Sequence, residues 1–157
     1  MFIQKVFHVR HGLQETKAAL TKVHLFQRRL EGVKKAVVTA DGVGQFDCEL
    51  PGGFRAHCVL VELPTNDSNQ TLFHSTAGNV ELSGLVEFIA IKENLTEVQI
   101  TVDCSFRSSL QAFLVSASNG MEQFFNRQLE RVQDWLDRST QMAAEQDQFA
   151  HLPECAA

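Results

Sequence analysis

The chain of 157 residues has no tyrosine and one tryptophan, against twelve phenylalanines. Phenylalanine carries no polar tip, so this aromatic content is suited to lining an interior rather than to hydrogen bonding. No apolar run approaches the ~20 residues of a bilayer-spanning helix, so an integral membrane protein is not expected. Met1 to Arg10 mixes polar with apolar residues and is too short and too polar for a signal peptide. The four cysteines, Cys48, Cys58, Cys104 and Cys155, form no C-x-x-C pair. That removes the spacing signal for zinc or thioredoxin-type chemistry. Without a secretion signal the thiols are expected to be reduced and the protein cytoplasmic. A basic surplus is missing as well: 14 Lys and Arg stand against 19 Asp and Glu, for a net charge of -5. Nucleic acid is therefore not an expected partner, because phosphate neutralisation needs a basic face. No cofactor or metal is implied by any motif.

What is present is patterning. A hydrophobic content of 44% suits one domain with a real core. Phe2 to Val9 reads as a strand that Gly12 ends. Leu13 to Leu30 is helix-prone, but its apolar positions make no single stripe, so two short helices with a break near Thr21–His24 are expected. Val33 to Ala40, Val43 to Leu50, Phe54 to Leu63 and Thr71 to Thr76 read as further strands, punctuated by Asp41-Gly42, Pro51-Gly52-Gly53 and Ala77-Gly78-Asn79. Phe54 to Leu63 is apolar on both faces, as befits a central strand.

The most regular signal lies between Val80 and Phe106. Val80, Leu82, Val86, Phe88 and Ala90 alternate with polar residues, and Val98, Ile100, Val102, Cys104 and Phe106 repeat the pattern. Each strand thus has one wet and one buried face. A turn at about Asn94 would pair Phe88 with Ile100, Val86 with Val102, Gly84 with Cys104 and Leu82 with Phe106. A turn centred on Gly78 would put His74 opposite Leu82 on the same face. From about Leu110 to Leu136, apolar residues recur at helical three-four spacing, with small residues before Gly120 and large ones after it.

The expected architecture is α+β: a curved antiparallel sheet wrapped around a long C-terminal helix, Leu110–Arg138, with two short helices after the first strand. Residues 1–139 form one domain, and residues 140–157 a polar, frayed tail. Such a sheet and helix leave room for an apolar ligand. Phe46, Cys48 and Cys58 share inward parity with Val86, Phe88, Val102, Cys104 and Phe106. They face the small-residue half of the helix around Phe113, Ala117 and Gly120. With His74 as a polar group, these residues are the expected ligand-binding wall of a cavity of several hundred Å³, roughly the size of ligand sites in general.

The order of strand, two short helices, six strands and long helix, with Val98-Gln-Ile-Thr-Val-Asp-Cys-Ser-Phe106 leading into Phe113 to Leu136, resembles the START/polyketide-cyclase-like superfamily, also called SRPBCC. The resemblance covers Phe2 to about Arg138. It implies a helix-grip fold whose deep cavity binds hydrophobic molecules such as lipids, sterols, polyketides or quinones. The family shares no catalytic residues, so none is carried over.

Several features admit other readings. His74 or His57, turned inward, could bind a ligand or act as an acid–base group, although a lone strand histidine is more often structural. Cys48, Cys58 and Cys104 could be a metal trio, although cysteine more often behaves as a small buried apolar residue. Val9-Arg10-His11-Gly12, with Glu15 nearby, looks like the Arg-His-Gly signature of histidine phosphatases, in which the histidine takes up phosphate. That family alternates helices with parallel strands and needs a second histidine, and His151 does not precede a glycine. The reading that results is a binding or carrier module for a hydrophobic small molecule. The alternatives are a cyclase or aromatase on the same fold, the phosphatase, or a filled domain acting through a protein partner.

Overall fold

The computed structural model of the chain describes residues 1–20, 26–108, 110 and 120–150. Strand β1 (Phe2–Val9) is followed by helices α1 (Leu13–Leu20) and α2 (Phe26–Arg29). Six strands come next: β2 (Val33–Val38), β3 (Val43–Leu50), β4 (Phe54–Leu63), β5 (Gln70–Gly78), β6 (Val80–Lys92) and β7 (Leu95–Phe106). Helix α3 (Met121–Ala150) follows. The strands form one curled seven-stranded sheet in the order β1-β7-β6-β5-β4-β3-β2, antiparallel throughout. This is the expected helix-grip arrangement. The parallel strands that a histidine phosphatase needs are not found among the described residues.

Period-2 patterning places the faces. Ile3, Phe7 and Val9 on β1 are buried, as are Val98, Ile100 and Cys104 on β7 and Val80 and Phe88 on β6. The two short helices are where the broken stripe puts them, and the break at Thr21–His24 lies outside the described residues.

The register differs from the expected one in two places, with opposite consequences. The β6–β7 hairpin turns on Glu93-Asn94 and is shifted by two residues. Phe88 therefore faces Val98, Val86 faces Ile100 and Leu82 faces Cys104. A shift of two keeps every side chain on its face. The β5–β6 hairpin is shifted by one: His74 pairs with Ser83, not Leu82. A shift of one reverses the face, so His74 points to the outer surface. The cause lies at the turn. Gly78 has φ +113, and a Cβ there would stand 2.0 Å from the His57 carbonyl oxygen. Next to it Asn79 ties the ends of three strands together. Its side-chain oxygen accepts the His57 N–H at 2.8 Å, its amide donates to the Arg55 carbonyl at 2.9 Å, and its own carbonyl accepts the Arg107 N–H at 3.1 Å.

The terminal helix also differs from its expected bounds. Gly120 is not helical; its carbonyl accepts the Phe124 N–H at 2.8 Å and so begins α3. Glycine costs ~1 kcal/mol inside a helix but little at the residue that caps it. At the other end α3 passes Arg138 and continues to Ala150, so the segment 140–150, expected as tail, is helical. Most of the expected first half of the helix, residues 111–119, lies outside the described residues, as do residues 151–157.

Candidate functional site

Helix α3 meets the sheet in two unlike halves. Along its middle, Val132 and Leu136 pack on Phe7, Val9, Ala19, Phe88, Val98 and Ile100, with Leu129, Val86 and Val102 filling in. Leu136, Val9 and Val98 have no exposed surface to speak of, so this half is solid. Toward the start of α3 the packing opens. Met121, Phe124 and Phe125 cover Leu50, Phe54, Ala56 and Phe106, and a cavity of about 220 Å³ lies beneath them.

The sheet side of the cavity is built by inward-facing residues of four strands. Phe46, Cys48 and Leu50 come from β3, Ala56, Cys58 and Leu60 from β4, Val80 and Leu82 from β6, and Cys104 and Phe106 from β7. The register accounts for their meeting: Phe46 pairs with Cys58, Cys48 with Ala56, Leu82 with Cys104 and Val80 with Phe106. Met121, Phe124, Phe125 and Gln128 form the roof, with Phe124 and Phe125 in edge-to-face contact at 5.8 Å. Leu30, Glu31 and Val33 form the rim. Glu31 is exposed and pairs with Arg131 at 3.4 Å, which marks the side open to solvent.

Of the residues expected to line a pocket, Phe46, Cys48, Cys58, Cys104 and Phe106 meet here. Val86, Phe88 and Val102 belong to the solid half instead, because the cavity lies nearer the β3–β4 side than a centred helix would place it. Gly120 adjoins the roof as the cap of α3 and does not line the space. Phe113 and Ala117 lie outside the described residues. His74 lines a shallow polar groove on the other face of the sheet, with Glu81, Ser83, Asp103, Ser105 and Arg107. His57 is likewise on the outer face, hydrogen-bonded to Asp47 across the β3–β4 pair.

The cysteines face the cavity as thiols that do not ionise at neutral pH. Burial, with smaller contributions from Cys48, Cys104 and Asp47, pushes Cys58 up to about 12. Burial and then Asp47 push Cys48 up to about 11. Cys104 is also raised, chiefly by burial. A protonated thiol is a poor nucleophile and presents no charge, so these side chains act as small apolar wall. No cluster of three or more metal-binding side chains occurs among the described residues. Cys155 lies outside them.

One polar group in the lining was not legible as part of a pocket. Gln128 is 8% exposed. Its Oε1 accepts the Glu31 N–H at 2.9 Å, but its Nε2 has no hydrogen-bond partner among the described residues. An unpaired buried donor costs about 1–3 kcal/mol. The sequence did carry a signal for it: Gln128 stands four residues after Phe124 and four before Val132, a polar residue on an apolar stripe.

The Arg10-His11-Gly12 segment has a structural role. The His11 carbonyl accepts the hydroxyl of the fully buried Thr96 at 2.8 Å, and the Gly12 carbonyl accepts that of Thr16 at 2.9 Å. The Arg10 N–H donates to Asp137 on α3 at 3.3 Å. The side chain of His11 lies 3.6 Å from Glu15. These bonds fasten the β1–α1 turn to β7 and α3.

The sequence matches no protein-family model and no curated protein sequence. Solved structures do match. A protein of Thermus thermophilus is similar with a TM-score of 0.74 at 13% identity, over 91% of this chain and 99% of that one. A START superfamily protein from Mycobacterium smegmatis gives 0.67 at 12% identity, over 90% and 98%. The Zhui aromatase/cyclase of a Streptomyces species gives 0.64 at 13% identity, over 92% and 93%. At such identities the likeness shows the fold: the chain has the helix-grip fold of START/polyketide-cyclase-like proteins.

Proposed function

We propose that the protein is a binding or carrier module for a hydrophobic small molecule held between the sheet and the first half of α3. The observation that carries this reading is the cavity of about 220 Å³, walled by aliphatic, aromatic and protonated thiol side chains. A void costs stability, ~24 cal/mol per Å³ in protein cores, so an unfilled apolar space of this size is more easily understood as a place for a ligand. The volume suits a bicyclic ring system or a short acyl chain, just below the ~300 Å³ where drug-sized sites begin.

The fold is one on which binding proteins and aromatase/cyclases are both built, and the lining favours binding. Acid–base catalysis on a bound ring needs titratable groups that converge on the substrate. Among the described residues the titratable lining groups are three thiols held protonated and Glu31 on the rim. No helix among the described residues is long and apolar enough to cross a membrane. Cys48, Cys58 and Cys104 are free thiols, which suits a reducing compartment such as the cytoplasm.

Native mass spectrometry of protein purified from its own host tests the reading. The expected result is a bound apolar molecule that is lost on denaturation. Unliganded protein that also fails to bind any apolar probe would overturn it.

A further inference from the structure

We infer that the ligand is an anionic amphiphile with one short hydrocarbon tail, bound with the tail in the cavity and the charged head outside at the rim. This rests on the binding reading above and specifies its ligand class.

The wall leaves no place for a polar group inside. Among the described residues its sheet side is aliphatic, aromatic or protonated thiol. The roof adds Gln128, but its oxygen is taken by the Glu31 N–H at 2.9 Å and its nitrogen has no surface open to an occupant. A hydroxyl or carbonyl drawn into this space would go unpaired, which lowers affinity roughly 5- to 150-fold. A polar end therefore stays at the rim of Leu30, Glu31 and Val33, beside the edge strand β2. The tail points to Val80, Leu82 and Cys104 on β6 and β7, across the sheet from that edge. A cavity of about 150 Å³ holds benzene, so about 220 Å³ takes one tail of about eight carbons and not a pair of long chains.

The charges about the rim set the sign of the head. The Glu31 carboxylate is neutralised by Arg131 at 3.4 Å, and Glu49 by Lys34 at 3.5 Å. That leaves Arg28 and Arg29, which end α2 just before Leu30, and Arg127, one turn ahead of Arg131 on the same side of α3. All three are exposed and form no ion pair among the described residues. Because α2 packs against α3, these cations stand around one opening, on a chain whose net charge is -5. An anion is drawn to such a rim and an ammonium is repelled. Exposed charges act weakly one by one, so the preference belongs to the group and is sensitive to salt.

The test titrates octanoate, octylammonium and 1-octanol into the wild type, Arg131→Gln and the double variant Arg28→Gln/Arg29→Gln at neutral pH. Each ion's affinity is divided by that of octanol, so that any change in the tail site cancels. We expect octanoate to bind the wild type about 5- to 20-fold more tightly than octylammonium at about 50 mM salt, and the gap to narrow at about 500 mM. Arg131→Gln removes one cation and frees the Glu31 carboxylate, so the octanoate ratio should fall about 5-fold or more. Octylammonium binding as tightly as octanoate in the wild type overturns the inference, as does an octanoate ratio unchanged in both variants. Intermolecular NOEs give an independent readout: the methylene beside the carboxylate is expected near Leu30 and Val33, and the terminal methyl near Leu82. The reverse orientation overturns the inference. Octanol binding without an octanoate preference leaves the cavity reading standing, whereas failure of all three probes to bind the wild type overturns both.

Discussion

Cys58→Trp fills the cavity from its wall and so separates an empty space from a packed one. Cys58 lies mid-strand on β4 opposite Phe46, and its side chain faces the void. Applied to about 220 Å³, a cost of ~24 cal/mol per Å³ gives roughly 5 kcal/mol of stability forgone, an upper bound because the space opens beside Glu31. Tryptophan adds on the order of 100 Å³ over cysteine, so filling can return up to about 2 kcal/mol. Forcing the same bulk into a packed core would instead cost about 1–3 kcal/mol. For a chain of this size 1 kcal/mol moves Tm by roughly 2–4 °C. The expected outcome is an unchanged Tm or a rise of a few degrees, with loss of binding of the neutral fluorescent probe N-phenylnaphthylamine. Differential scanning calorimetry and a fluorescence titration read the two quantities. A Tm lowered by about 2–12 °C would refute the reasoning, because side chains would then already occupy the space.

Other substitutions probe the remaining surfaces. Leu136→Ala, in the solid half, is expected to cost about 2–5 kcal/mol in urea denaturation while leaving the probe affinity unchanged. His74→Ala is expected to leave probe affinity unchanged, since the side chain lies on the outer face; a several-fold loss would contradict the observed register. His11→Ala is expected to change no phosphoryl transfer, because incubation of the wild type with a phosphate ester should leave no phosphate on the protein. Alkaline titration should show the thiols. Cys48 and Cys58 stand above the ordinary 9.0 when folded, so between pH 9 and about 12 the unfolded chain holds fewer protons. Stability is then fully present below pH 9 and falls as pH rises through that window. Cys48→Val with Cys58→Val should flatten the fall, as chemical denaturation at stepped pH would report.

The fold was legible because its strands are half-buried. Alternation along Val80–Phe106 specifies a face for every residue, and Asp41-Gly42 and Pro51-Gly52-Gly53 punctuate the strands where the structure turns. Half of the sheet wall of the candidate site followed from the same parity, since Phe46, Cys48, Cys58, Cys104 and Phe106 all point inward. What parity cannot give is position along the strand. Val86, Phe88 and Val102 face inward as expected but meet the middle of α3, whereas the cavity lies under its start. His74 shows how sensitive parity is to a turn: one residue of shift at Gly78-Asn79 exchanged the inside for the outside. Trp135 is buried, and Gln128 is buried with its amide half paired, at positions that the three-four spacing of the helix does not single out. A polar residue at a core position of a helix is a local conflict, and such conflicts tend to mark sites.

The central claim is that an apolar molecule enters the space under the start of α3. Methyl NMR of the wild type during titration with N-phenylnaphthylamine tests it most directly. Saturable one-to-one binding near the micromolar range, about 8 kcal/mol, is expected. Shifts should appear at Met121, Leu60 and Leu82, which line the cavity, while Val98 and Leu136 in the solid half keep their positions. Non-saturating shifts, or shifts confined to exposed methyls such as Val37 and Ile91, would contradict it.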